Sequence, residues 1–171
     1  GGSDKLKLLL DIASTALANE MVGGAQTLLD SALSYTQLRF QFGRSIASFQ
    51  AIKHRLADLL LELELAKSAA YQAAQTLASS ALWCADGQAA HPEQVTEHAS
   101  LAKAAASEVY LHTALECIQM HGGIGFTWEN DTHLWFKRAK SSEVLLGTPA
   151  QHRERMLTAL CAQPTDLKDS A

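Results

Sequence analysis

The sequence predicts an all-α fold, an antiparallel up-and-down bundle of three long helices and two shorter ones. Three observations predict it. Ile52, Leu56, Leu59, Leu63, Ala66, Ala70, Ala73 and Leu77 recur at alternating spacings of four and three, the pattern of a bundle seam. Ala and Leu are abundant, Val, Ile and Thr are sparse, and no clean period-two run appears, so sheets are disfavoured. Long apolar patterns also stop at glycines, at Gly43, Gly122 and Gly147.

The first helix is expected over 4–38. Leu6, Leu9, Leu10, Ala13, Ala16, Leu17 and Met21 share a broad apolar face that Leu28, Leu29, Ala32 and Leu33 continue. Gly23-Gly24 lies inside it at about 1 kcal/mol per glycine relative to Ala, which points to a close neighbour, most simply another helix. Ser48 is placed to cap the second helix, 49–81. A polar connection over 82–92 follows. Pro92 suits the first turn of the third helix, 92–121, whose face includes Val95, Ala102, Ala105, Val109 and Met120. A shorter helix is expected over 131–146, with Lys137, Arg138 and Lys140 in its later part, and Gly147 stops it. Thr148-Pro-Ala-Gln151 is a capping-box pattern opening the last helix, 149–161. The domain is therefore drawn over 4–161, with Gly1-Gly2-Ser3 as an expression scar and 162–171 as a flexible tail. Helices of this length exceed what a small domain needs, so missing domains or other subunits are expected to cover their faces.

Composition narrows the function classes. At 171 residues the chain is one domain by size, with room for a real core. A net charge of −4 argues against nucleic acid as partner. No membrane span is expected, because Glu62, Glu64 and Lys67 interrupt the best apolar run. There is no signal-peptide pattern. Cys84, Cys117 and Cys161 are widely spaced and odd in number, which suits reduced thiols in a cytoplasmic protein.

Glu108, His112 and Glu116 share one helical face, a spacing open to a metal but better read as a solvated ion-pair set. A di-iron bundle needs Glu-x-x-His, and none of the seven histidines has Glu three residues before it. No metal site is expected.

Two stretches point elsewhere. Gln119-Met-His-Gly-Gly-Ile-Gly-Phe126 offers three glycines in four positions, followed by Phe126 and Trp128. That is bare backbone beside aromatic surface, suited to close approach of a phosphate as well as to a helix stop. Arg39-Phe-Gln-Phe-Gly-Arg44 also breaks a long helix at a glycine, and the Arg39 guanidinium suits phosphate oxygens. Arg39-x-x-Phe42-Gly43, Phe49-Gln50-Ala51, Gln119-x-x-Gly122-Gly123-x-Gly125-Phe126 and Gly147-Thr148, in this order and at helix-length spacings, resemble the C-terminal helical domain of the acyl-CoA dehydrogenases. The resemblance runs from about Asp4 to Leu160. It implies an FAD-dependent dehydrogenation of an acyl-CoA thioester, with electron-transfer flavoprotein or a similar acceptor as electron partner. It also implies homo- or hetero-oligomers built through this bundle. Arg39, Phe42, Gln119, Gly122 and Gly123 would approach the FAD of a neighbouring subunit, and Thr148 belongs to the same cofactor set.

The family abstracts an α-proton with a carboxylate, usually the Glu of an E-G-T triplet. Here the triplet is Leu146-Gly147-Thr148. The alternative family position on the first helix falls near Ala13. Neither can take a proton. The position two past Thr148, a Gln contacting FAD in many members, is Ala150, with Gln151 or His152 as substitutes. Glu20, about two turns past Ala13, is the remaining candidate base on that helix, and Glu143 is a weaker one. The resemblance therefore leaves open a catalytic subunit, a non-catalytic partner subunit of a heteromeric enzyme, or a plain helical oligomerisation domain. The isolated domain is not expected to bind FAD.

Overall fold

The computed structural model describes residues 2–80 and 91–162. Helix α1 spans Gly2–Leu38, a two-stranded hairpin pairs β1 (Phe40–Gln41) with β2 (Arg44–Ser45), and a short 3₁₀ turn covers Ile46–Ser48. Then follow α2 (Gln50–Ala78), α3 (Pro92–His121), a 3₁₀ segment over Gly122–Phe126, α4 (Thr132–Val144) and α5 (Pro149–Ala162). The all-α bundle of three long and two shorter helices is thus observed.

Side-chain pairings fix the directions. Along α1 and α3 the partners advance together: Asp11 meets Thr96, Met21 meets Ser107, Leu28 meets Cys117 and Tyr35 meets His121. These two helices are parallel. On α2 the order reverses, with Thr76 at His98, Glu62 at His112 and Arg55 at Glu116. Helix α4 starts beside Gly125 and ends over Lys103, and α5 continues in the same direction past Ser100. The two short helices are one antiparallel arm of a four-arm bundle, broken at Leu145–Thr148.

Helix α3 touches all four other helices, and small residues let it. Ala99, Ala102, Ala106, Ala114 and Cys117 are buried along it. The predicted α2 seam is the observed one, with Leu59, Leu63, Ala66, Ala70 and Ala73 buried and Leu56 packed at its edge. On α1 the core face is Leu17, Ala18, Met21, Ala25, Leu28, Leu29 and Ala32. Leu6 and Leu9, expected on that face, are exposed. The reason is facing: the buried stripe of α1 runs through Asp11, Ser14, Ala18, Met21, Ala25, Leu28 and Ala32, and at about 100° per residue Leu9 falls on the opposite side and Leu6 on the flank. Leu33, also expected on that face, lies on the other flank and is exposed. Of the glycine pair, only Gly24 is tightly packed. A Cβ there would lie 2.7 Å from the Tyr110 ring, whereas Gly23 faces open space.

Several boundaries differ from the sequence reading. Helix α1 begins at Gly2, so Gly2 and Ser3 are helical. Ser48 does not cap α2; its hydroxyl donates to Ser45 O at 2.7 Å, and Phe49 is the cap residue without a side-chain bond. Helix α4 stops at Val144, because Leu145 turns to extended backbone (φ −65°, ψ 132°), and Leu146 then takes a positive φ of 64°. The predicted connection over 82–92 lies outside the described residues except for its last two positions, as does the tail beyond Ala162. Pro92 in the first turn and the Thr148–Gln151 capping box are observed, the latter with Thr148 N donating to Gln151 Oε1 at 2.8 Å. Among the described residues no helix is long and apolar enough to cross a membrane.

Two measurements check this architecture. In thermal or urea unfolding, Gly24→Ala should lower stability by about 1–3 kcal/mol through the clash with buried Tyr110. Gly23→Ala, one residue away in open space, should raise it by roughly 0.5–1 kcal/mol. Leu60, Leu61, Leu65 and Tyr71 on α2 and Leu101 and Leu115 on α3 are exposed. Sedimentation at micromolar concentration should therefore show association, and a compact monomer would contradict that expectation.

Candidate functional site

The stacked rings of Tyr35 and His121, 4.2 Å apart, tie the C-terminal ends of α1 and α3 together. This joins the two glycine-broken stretches at one end of the bundle. On the α1 side, Ser45 Oγ donates to Thr36 O at 2.9 Å and holds the hairpin against the helix end. The hairpin turns at Phe42 and Gly43, with φ of 54° and 76°. Positive φ at both central residues is the type I′ geometry, for which Asn-Gly is preferred. A bulky aromatic at the first position is strained. The Phe42 side chain is 91% exposed and meets Phe49 edge-on at 6.2 Å, while the Arg44 guanidinium sits 3.9 Å over the Phe49 ring. Phe42 is therefore not a core residue. Arg39 is exposed, and its guanidinium makes no hydrogen bond or ion pair among the described residues.

On the α3 side, Gly122 ends the helix with φ 64°, its N–H returning to Gln119 O and Ile118 O. Capping and bare backbone coincide here, since neither Gly122 nor Gly123 has an atom within 4 Å of a built Cβ. Gly125 is different: its backbone lies against Ile118 O, so it serves the turn. Gln119 is exposed and borders a groove with Phe126, His133, Phe136 and Lys137. Phe126 and Trp128 are both exposed, Trp128 at 88%. A cation with unused donors, an exposed strained aromatic, an exposed amide and open glycines thus share one end. That set fits a ligand with phosphate and a flat ring.

Thr148 does not join them. It follows the break between α4 and α5, at the level of Lys103. Gln119 is 16 residues farther along α3, about 24 Å at helical rise. Glu20 lies between the two levels. Its carboxylate accepts from Arg138 Nε at 2.9 Å and from the terminal nitrogen of the same guanidinium, bridging α1 to α4. Glu143 pairs with Lys140. The Glu108, His112 and Glu116 face is an ion-pair set, reaching Arg153, Glu62 and Arg55 respectively. Among the described residues no group of three His, Cys, Asp or Glu could hold a metal.

Two buried ionisable groups under the α4–α5 break were not singled out from sequence as a set. Lys103 is 0% exposed, and its Nζ donates to Ser107 Oγ (2.9 Å), Glu143 O (3.2 Å) and Gly147 O (3.2 Å). Burial pulls its ammonium down to about 8, opposed by the nearby Glu143 carboxylate. His152 is 1% exposed, with Nε2 on Leu146 O at 3.1 Å and Nδ1 unpartnered. Burial pushes it down to about 4, its bond to Leu146 O acts the other way, and Lys103 and Arg155 lower it further. Cys117 is buried and free, and burial pushes its thiol up to about 11, so it is an inert core thiol.

The chain from residue 4 to residue 161 matches the family model described as "Acyl-CoA dehydrogenase, C-terminal domain". It belongs to that family. It is 40% identical over 156 residues to the acyl-CoA dehydrogenase IpdE2 of Mycobacterium tuberculosis, covering 91% of this chain and 44% of that protein. Among solved structures it is similar to the Tcur3481-Tcur3483 steroid ACAD, G363A variant (TM-score 0.80, 31% identity, 91% of this chain and 40% of that one). It is also similar to the ChsE4-ChsE5 complex of M. tuberculosis (TM-score 0.79, 25% identity, 91% of this chain and 39% of that one). The chain thus spans about two-fifths of the length of these relatives. Acyl-CoA dehydrogenases are flavoenzymes.

Two outcomes follow from this geometry. Phe42→Gly should stabilise the domain in urea unfolding by up to about 1 kcal/mol, by relieving positive φ on a non-glycine residue. The His152 effect has a definite sign. Its folded value, about 4, lies below the ordinary 6.5, so the unfolded chain binds the extra proton between them. Stability should therefore be undiminished above pH 6.5 and fall as the pH drops towards 4, by about 3 kcal/mol in total. A urea titration series should show that slope, and His152→Gln should flatten it.

Proposed function

We propose that this domain completes the cofactor site of an FAD-dependent acyl-CoA dehydrogenase and lacks the usual catalytic base. The observation that carries the reading is the turn at Leu146-Gly147-Thr148. The backbone there is fully built and gripped, yet the side chain at 146 is aliphatic. Arg39, Phe42, Gln119, Gly122 and Gly123 would hold the flavin nucleotide of a neighbouring subunit, with the guanidinium on phosphate oxygens and the glycines allowing close approach. FAD, when bound, supplies the acceptor for the β-hydride of the acyl thioester. Thr148 would serve a second contact, some distance along the bundle.

Removing the α-proton needs a positioned carboxylate, worth about 10²–10⁴-fold. Leu146 and Ala13 cannot supply one. Glu20 faces α4 from α1, but one of its oxygens, Oε1, is already engaged by both Arg138 donors. We therefore favour a subunit that supports the flavin of a heteromeric enzyme whose base lies in another chain. The names of two similar structures, Tcur3481-Tcur3483 and ChsE4-ChsE5, each pair two different proteins. The substrate class in this reading is an acyl-CoA of lipid or sterol origin, and electrons leave to electron-transfer flavoprotein or a similar acceptor.

The test is acyl-CoA oxidation by the full-length parent. An inactive homomer that becomes active with a second, Glu-bearing chain supports the reading. An active homomer that loses turnover but keeps FAD on Glu20→Gln makes Glu20 a relocated base. An active homomer indifferent to Glu20→Gln places the base in Glu143 or the missing domains. In the assembled protein Arg39→Ala should lower flavin retention through gel filtration, and this 171-residue domain alone should bind FAD more weakly than micromolar.

A further inference from the structure

The break between α4 and α5 is more heavily built than a helix stop requires. Many helices stop on a residue at positive φ, usually glycine, and Gly147 at φ 114° follows directly. The chain nevertheless places Leu146 at φ 64°, a conformation disfavoured for a side chain with Cβ. It also spends a fully buried lysine on the same five residues. Helix ends leave carbonyls without partners. Here Glu143 O and Gly147 O are taken by Lys103 Nζ, and Leu146 O lies on His152 Nε2. The grip is itself held. Ser107 Oγ accepts from Lys103 Nζ at 2.9 Å and donates to Lys103 O at 2.7 Å, so the ammonium is aimed from inside the core. His152 carries a further cost, a buried Nδ1 without a partner. A buried cation, a strained leucine and an unsatisfied imidazole nitrogen thus converge on one half-exposed turn. Strain concentrated in this way marks a turn whose geometry is needed for something other than stopping the helix.

We propose that Lys103 and His152 are positioning residues: by holding the carbonyls of Glu143, Leu146 and Gly147 at the α4–α5 break they fix the direction in which Leu146 and Thr148 meet the bound cofactor and substrate. The proposal rests on the reading of this domain as part of a flavin site. Neither residue reaches a ligand. Lys103 lies wholly inside the bundle, and His152 packs beneath Gly147, where a Cβ would meet its Nε2 at 3.2 Å. Their effect passes through the backbone they hold.

The test uses the full-length parent with its FAD. Lys103→Met removes the ammonium while keeping an unbranched apolar stem, and His152→Phe removes the imidazole independently, so one variant remains if the other fails to fold. Amide hydrogen exchange is followed in residues 145–149 and, as reference, in 104–118 of α3. Both variants should raise exchange at the turn about tenfold or more through local opening, leave the α3 reference protected, and change the visible absorption band of the bound flavin. Equal loss of protection along α3 and α4 would make the two residues core-filling groups and overturn the proposal. An unchanged turn would overturn it as well, and so would a loosened turn with an unaltered flavin band. Failure of the underlying reading is seen separately, in a wild-type parent that purifies without FAD and takes none up.

Discussion

Everything in this domain is hung on the burial of α3, and α3 can carry it because its contact surface is made of alanine. A helix that packs neighbours on several sides at once cannot present large side chains on all of them without pushing the axes apart. Ala99, Ala102, Ala106 and Ala114 keep the axes close, and bulk comes from the partners instead: Leu17, Met21 and Leu28 from α1, Leu59 and Leu63 from α2. Where α3 does carry a large group, the partner gives way. Tyr110 fits only because α1 has Gly24 opposite its ring. The polar ties then fix register. Asp11 accepts from Thr96 and Arg155 at one end, and Tyr35 stacks on His121 at the other. The ends of α1 and α3 therefore finish together, and this brings the Arg39 hairpin beside Gly122.

What was legible in the sequence follows the same division. The α2 seam could be read because its one-sided pattern needs no knowledge of neighbours. Gly122 and the Thr148–Gln151 box could be read because capping is local chemistry. The first turns of α1 were misjudged, since an apolar side chain on every flank made the face look broader than the buried stripe through Asp11, Ser14 and Ala18, from which Leu9 points away. Ser48 looked like a cap, yet the 3₁₀ turn before α2 gave its hydroxyl a nearer acceptor in Ser45 O. Lys103 could not be found by pattern. A lysine in an alanine-rich helix reads as a solvated position, and only the broken arm above it supplies the carbonyls that make burial tolerable. His152 was noted only as a neighbour of Thr148. A helix stop with leucine before the glycine was the one signal that something must hold the turn.

The site residues fall into two groups, and the separation has a physical consequence. The bundle end gathers groups that suit a nucleotide: unused guanidinium donors, an exposed ring and open backbone. The α4–α5 break gathers groups that hold backbone still. About 24 Å of helix divides the level of Lys103 from Gln119. In the proposed reading each end serves a different copy of the cofactor, and the exposed leucines of α2 and α3 are the surfaces on which such an assembly can close.

The empty base position and the intact turn belong together. A fully buried lysine, a leucine at positive φ and a histidine nitrogen without a partner meet at this turn, and a Gly-Gly stop would relieve the leucine's strain. A carbon acid beside a thioester does not ionise at a useful rate without a base, so in the proposed reading the carboxylate comes from outside the Leu146 turn. Glu20 pairs with Arg138 through Oε1, tying α1 to α4. In the proposed reading that tie favours a base on a second polypeptide.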